Sequence, residues 1–287
     1  MDIRKALDLS STAAAYLIPE VIDGAIRDFA SKEPTLYNAV RHVPWATNTY
    51  FIRKRTALPG ASWSTDGGPL PAATQSEYAR ASKSMKYLYS RGEVTGPMQA
   101  AAGSLFDALA SEVEAHTRAM IEKLSTDLAT ANGGSNSITG ILYQITDDTS
   151  MGDQSVVNKS TVLTLAMLDE AIDAVNGTPD TILTSKPVRR KINSLLQAQQ
   201  QFVNTTEIQA GFRVISYDDL PILSDSHWAD DAKILIFDRD QAKLLVHKDL
   251  TYEELAKTKD STDFMIKGYF GFSLEGSAVL LQGFSLT

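Results

Sequence analysis

Thr49-Tyr50-Phe51-Ile52-Arg53-Lys54-Arg55 going out, Leu58-Pro59-Gly60-Ala61-Ser62-Trp63-Ser64-Thr65-Asp66-Gly67-Gly68-Pro69-Leu70-Pro71 at the turn, and Lys86-Tyr87-Leu88-Tyr89-Ser90-Arg91 coming back form the stretch that decides the fold. Its middle is turn chemistry and small polar residues. Its flanks carry the aromatic and aliphatic residues of strands. A compact domain rarely tolerates so long a segment, 46–97, without a core of its own. An arm that leaves the subunit and packs on a neighbour is such a segment, and that predicts a protein built for assembly. Arg53, Lys54, Arg55, Arg80, Lys83, Lys86 and Arg91 against Asp66, Glu77 and Glu93 leave the arm at about +4. Trp63, set among small polar residues, reads as an interface anchor or, nearly as well, as a local packing residue.

The arm runs into the clearest helix of the sequence, predicted over 104–131. Ser104 and Asp107 resemble a capping box with the shorter acid. Leu105, Leu109, Val113, Met120, Leu124 and Leu128 form a stripe at helical spacing, and Asn132-Gly133-Gly134 ends it. Such a helix runs roughly 40 Å. Asp107, Glu112, Glu114, Glu122 and Asp127 against Arg118 and Lys123 leave its exposed face at about −3. His116 interrupts the stripe and reads as a packed or interface histidine. A basic arm thus precedes an acidic helix.

Upstream, residues 1–44 read as an arm and a short helix with Val21, Ile22, Ile26 and Phe29 on one face; Pro34 and Pro44 are expected to end regular structure. Downstream, 135–163 is loop-like and mixed. A helix over 165–175 precedes a short buried strand, Thr181-Ile182-Leu183-Thr184. Ser185 is expected to cap a further helix with Pro187 in its first turn. Strands follow at Gly211-Phe212-Arg213-Val214-Ile215, Leu220-Pro221-Ile222-Leu223 and Ile234-Leu235-Ile236-Phe237-Asp238, then at 264–274 and 278–281. Mixed helices and strands with long excursions read as α+β.

The chain has 287 residues, 43% hydrophobic and 22% charged, which suits a soluble globular protein with a substantial core. No apolar run is long enough to span a bilayer, and the first residues lack the apolar stretch of a signal peptide, so synthesis in a cytoplasm is expected. With no cysteine, disulfides, thiolate nucleophiles and Cys-ligated zinc are excluded. A net charge of −8 argues against a dedicated nucleic-acid binder, because such proteins release phosphate counterions through clustered Lys and Arg.

Little reads as catalysis. The four histidines, His42, His116, His227 and His247, fall at no metal-motif spacing. Asp218, Asp219, Asp225, His227, Asp230 and Asp231 are the best metal-like cluster, but they lack the order of a calcium loop. Between strands, solvated acids are ordinary. In Gly271-Phe272-Ser273-Leu274-Glu275-Gly276 the second Gly of a nucleophile elbow comes one residue too late, so Ser273 reads as a buried strand serine. Lys54, Lys83 and Lys86 are possible isopeptide donors in a cross-linked shell, with electrostatic docking of the arm the preferred reading. No enzyme and no cofactor are expected.

The order of elements resembles the major capsid proteins of tailed phages with the Hong Kong 97-type fold, which encapsulin shells share. Asp180-Thr181-Ile182-Leu183-Thr184-Ser185-Lys186-Pro187, leading into Arg189-Arg190-Lys191-Ile192, resembles that family's strand-to-helix passage. The strands at 211–215, 220–224 and 233–242 are similar to the run before its return. The resemblance implies an N-terminal arm and short helix (1–44), an E-loop (45–97), a P-domain with its spine helix (98–150), an A-domain (151–248) and P-domain return strands (249–287).

It further implies pentamers and hexamers of the chain enclosing phage double-stranded DNA in an icosahedral head, without sequence-specific binding and without a membrane. Portal, decoration and separate scaffolding proteins are the other implied partners. A scaffolding extension is not seen before the arm, so a separate scaffold or none is expected. The implied location is the virion, after assembly in the host bacterial cytoplasm. Arg53, Lys54, Arg55, Trp63, Lys83, Lys86, Glu112, Glu114 and Glu122 are the inter-subunit candidates: the basic arm is expected to dock on a neighbour's acidic helix. The alternatives are an encapsulin-like compartment and, more remotely, a metal-dependent α+β enzyme.

Overall fold

The computed structural model describes residues 34–102, 108–134, 136–147, 154–198, 205–207, 213–228, 232–256 and 259–287. The expected helix near residues 19–29, the Ser104–Asp107 cap, Leu105, Gly211, Phe212, Asp230 and Asp231 lie outside them.

The arm is a hairpin of β2 (Thr49–Ala57) and β3 (Glu77–Ser84), paired antiparallel from Thr49 opposite Ser84 to Ala57 opposite Glu77. The returning limb is therefore not 86–91 as the sequence suggests. Glu77–Ser84 has almost nothing apolar to bury, which hides it from a reading based on hydrophobic alternation; backbone pairing alone makes it a strand. The arm closes where Met85 N donates to Asn48 O over 2.9 Å. Lys86–Thr95 (β4) then enters the body.

There β4 edges a four-stranded sheet in the order β1 (Arg41–Pro44), β11 (Ala242–Glu254), β12 (Ser261–Leu274), β4. Leu88 and Val94 of β4 and Phe264 and Ile266 of β12 cover one face. Against them lies the long helix Ala108–Thr130, about 35 Å at helical rise. Met120, Leu124 and Leu128 of the predicted stripe are buried, while Leu109 and Val113 are partly buried. Gly92 lets the sheet approach: a Cβ there would lie 2.3 Å from Phe264 Cζ and 2.8 Å from His116 Nε2. A separate short helix, Gly96–Ala102, precedes the long one.

A second, seven-stranded sheet runs β5 (Gln154–Asn158), β13 (Ala278–Gln282), β10 (Lys233–Phe237), β6 (Thr181–Thr184), β9 (Leu220–Ser224), β8 (Arg213–Tyr217), β7 (Thr205–Glu207). Its central strands are buried on both faces, so alternate residues serve two cores. Ile182, Ile222, Ile234, Ile236, Val279 and Leu281 meet Leu168 of helix Leu165–Asp173 and Val188, Ile192 and Leu196 of helix Lys186–Ala198. Leu183, Leu235, Phe237 and Leu280 meet Leu128, Ile141, Trp228 and, from the other sheet, Leu244, Phe270 and Phe272. That shared core joins the two sheets.

Several expectations change here. Residues 249–287 do not form one return sheet, because the apolar run Ala278–Gln282 inserts between β5 and β10. Pro34 is the N-cap of helix Thr35–Ala39 and so opens regular structure, whereas Pro44 ends β1, which runs parallel to β11. The loop-like 135–163 contains helix Ile141–Thr146 and strand β5. Ser185 starts its helix through its carbonyl, which accepts from Arg189 N over 3.0 Å; its hydroxyl is buried with no partner among the described residues rather than capping.

Candidate assembly surfaces

Strand alternation sorts the arm's residues. Phe51, Arg53 and Arg55 of β2 face the same way as Arg80 and Tyr78 of β3, since Arg53 pairs with Arg80 and Arg55 with Tyr78. All five side chains are exposed. The guanidinium of Arg80 sits 3.6 Å from the Phe51 ring centroid and that of Arg55 5.4 Å from the Tyr78 centroid. Arg55 Nη2 also donates to Tyr78 Oη over 3.2 Å. Among the described residues none of the three arginines has a carboxylate partner, so this face is cationic and aromatic and holds itself in register through cation–π contacts. Trp63, beyond the strands, is fully exposed, as are Leu58 and Leu70 nearly so.

The lysine candidates lie elsewhere. Lys54 is on the opposite face, half-buried and engaged within the chain. Lys83, opposite Tyr50 in the hairpin, is only 9% exposed. Lys86 has left the arm and lines a small cavity between β4 and the long helix, with Leu88, Leu124, Ile138 and Phe270.

On the long helix Glu114 pairs with Arg118, and Lys123 Nζ donates to Asp127 Oδ1 over 2.7 Å. Glu112 Oε2 stands 3.9 Å from His116 Nε2, and Glu122 is half-buried and engaged within the chain. Surface i,i+4 pairs of this kind contribute about 0.3–0.5 kcal/mol each. His116 is a packed residue: its Nδ1 shares a 2.6 Å hydrogen bond with Ser90 Oγ, and its ring meets Phe264 edge-on at 5.3 Å.

The arm is rooted in the body by contacts that leave no signal in the sequence. Tyr50 Oη donates to Glu275 Oε1 over 2.6 Å, and Lys243 Nζ donates to Glu275 Oε2 over 2.5 Å. The Trp45 and Tyr50 rings meet edge-to-face at 4.7 Å. Burial, then the hydrogen bond to Glu275 and its charge, pushes the Tyr50 hydroxyl up to about 12. Tyr87 Oη donates to Asn48 Oδ1 over 3.1 Å at the same root. Across the body sheet, Arg91 Nη2 donates to Asp263 Oδ2 over 2.8 Å. That bond, with one from Ser261, holds the Asp263 carboxyl below its ordinary value.

The described members of the metal-like cluster do not converge. Asp225 is buried, with Oδ2 accepting Leu36 N at 2.6 Å and Oδ1 accepting His227 N at 2.7 Å and His227 Nδ1 at 2.9 Å. Asp218 and Asp219 form the turn between β8 and β9 with φ of 49° and 60°. No group of three metal-ligating side chains gathers among the described residues. Ser273 is fully buried within β12, as a strand serine should be. Among the described residues no helix is long and apolar enough to cross a membrane.

A profile of the SU10 major capsid protein family matches residues 9–278. Among solved structures, the capsid of a native GTA particle superposes with a TM-score of 0.77 at 13% identity, covering 98% of this chain and 100% of that one. The capsid of cyanophage A-1(L) gives 0.75 at 15% identity, covering 96% and 99%. The holo-SrpI encapsulin of Synechococcus elongatus gives 0.72 at 13% identity, covering 98% of each chain. At these identities the structures speak for the fold alone. No curated protein matches the sequence.

Proposed function

Because the chain belongs to the SU10 major capsid protein family, we propose that this capsid shell subunit closes pentamers and hexamers of itself into an icosahedral phage head around double-stranded DNA. In this reading the hairpin is the E-loop, the long helix the spine, the four-stranded sheet the P-domain and the seven-stranded sheet the A-domain. Head-to-tail contacts whose rotation closes give a finite shell. Portal, scaffolding and decoration proteins would complete the particle in the host cytoplasm, and the chain itself would catalyse nothing.

The observation that carries the reading is the arm. It presents Phe51, Arg53, Arg55, Tyr78 and Arg80 on one exposed face and Trp63 at its tip, and a second copy is the natural cover. About 18 residues each way give a reach of up to roughly 60 Å at the strand rise, enough to cross onto an adjacent subunit. The acidic face of a neighbour's long helix supplies complementary charge, chiefly from Glu112 and Glu114, with Glu122 contributing less because it is engaged within its own subunit. That charge sets register and encounter rate; Trp63 and the aliphatic tip supply buried area. Lys54 and Lys83 contribute less, since both are engaged within their own subunit.

Electron microscopy of the purified full-length protein, with nucleic acid and copurifying proteins assayed in the same fractions, tests this. Uniform closed shells are expected. A packaged enzyme in place of nucleic acid would favour the encapsulin reading, whose fold is nearly as similar. A species that stays monomeric with crowding agents and scaffold would overturn both. The triple reversal R53E/R55E/R80E is expected to abolish shells or their salt sensitivity, while K54E leaves both nearly intact. Unchanged assembly in the triple variant would sink arm docking by charge.

A further inference from the structure

The segment Gly271-Phe272-Ser273-Leu274-Glu275-Gly276 contributes a buried serine and nothing catalytic, yet its fifth residue lies where three parts of the molecule meet. β12 ends at Leu274 in the four-stranded sheet, and β13 begins at Ala278 in the seven-stranded one. Residues 275–277 are therefore a direct bridge between the sheets, beside the 238–241 link from β10 to β11.

The bridge is tied down at its backbone and at Ser277. Glu275 N donates to Gln241 O over 3.0 Å, Gln154 Nε2 donates to Gly276 O over 3.3 Å, and Asn176 N donates to Ser277 Oγ over 2.9 Å. Gly276 lies so close to Gln241 that a Cβ would fall 2.6 Å from Gln241 Cγ. A carboxylate on such a mount has little freedom. The Glu275 side chain is 15% exposed, with one oxygen taken by Lys243 of β11 and the other by Tyr50, near the start of the arm's first strand. The other hydrogen bonds described at the root, Met85 N to Asn48 O and Tyr87 Oη to Asn48 Oδ1, both involve Asn48, while the edge-on contact of the Trp45 ring also falls on Tyr50. Bonds gathered at one residue form a hinge; a bond at Tyr50 removes the rotation.

We infer that Glu275 is the positioning residue of the arm, fixing the hairpin's angle to the body through Tyr50 and the junction of the two sheets. Its consequence for shell shape rests on the reading above; its effect on the arm of a single subunit does not. A fixed arm angle lowers the ordering cost when the arm meets a neighbour, and a free one would admit several curvatures.

The test is amide hydrogen exchange on the full-length subunit, held unassembled by dilution, for wild type, Y50F, E275A and the double variant. Each single variant is expected to speed exchange at least tenfold across 50–56 and 78–84, and the double variant is expected to add little, because both changes remove one contact. Exchange at 234–237 and 279–281 in the central sheet should stay as in wild type. Arm exchange unchanged in Y50F, or fully additive effects in the double variant, would overturn the inference. If E275A also loosens the central sheet, Y50F alone decides, since its hydroxyl touches no core residue. By electron microscopy, wild-type uniform shells and variant shells of mixed curvature are expected. If wild type forms no shell while the arm still responds to Y50F, the shell reading falls and the positioning role stands.

Discussion

Asp225 is buried beside His227, accepting three N–H groups, one of them from Leu36, 189 positions away. Removing such an acceptor strands donors that water cannot reach. Asp225→Ala is expected to destabilise the subunit by on the order of 3 kcal/mol, read as a lower urea midpoint, with Asp225→Asn recovering part of the loss. Tyr50 is a second case. Its folded-state value lies near 12 against 10.0 for the free side chain. The unfolded chain therefore ionises first, so this group's contribution is intact below pH 10 and falls as pH rises towards 12. Thermal unfolding between pH 9 and 12, compared with Y50F, should show a steeper decline in wild type. Asp263 has the opposite sign: held below 3.8, it contributes stability above that pH and loses it as acid protonates it. Arg91→Met should flatten the acid limb of the stability profile.

At the scale of elements, the contact between the long helix and the four-stranded sheet depends on a side chain being absent. Gly92→Ala would push a methyl into Phe264 and His116, and a cost of about 1–3 kcal/mol is expected from chemical denaturation. Leu128→Ala opens a cavity where the helix end meets both sheets and should cost about 2–5 kcal/mol. The stripe of Met120, Leu124 and Leu128 was legible because helical periodicity is written in neighbouring residues. Glu77–Ser84 was not, because a strand that buries little carries no alternation. The cap expected at Ser185 failed for a related reason: residue preference identifies the helix start, while the rotamer of the hydroxyl is set by what packs around it.

At the scale of the whole molecule, a net charge of −8 coexists with an arm face bearing three arginines free of carboxylate partners among the described residues. The isolated subunit thus presents one cationic projection against an acidic remainder. Shell formation should slow as salt screens that attraction over a Debye length of about 8–10 Å. Light scattering during assembly at rising ionic strength checks this. W63A is expected to lower shell yield with little change in salt slope, since indole burial is not screened. Loss of the salt slope in W63A would mean that the tip and the charged face do not act separately.

The sequence by itself determined what neighbouring residues encode: the turn-rich tip, the basic arm beside an acidic helix, the short buried strand at 181–184, the strands at 234–238 and 278–281, and the α+β class. Only the tertiary structure decided which strands pair: that β3 returns beside β2, that β4 belongs to the body, and that β13 lies between β5 and β10. It also decided that Glu275 meets Tyr50, 225 positions earlier. Periodicity and turn chemistry act over a few residues and survive in the linear order. Pairing and register depend on which apolar faces find a common core, and that is settled only when the whole chain closes around it.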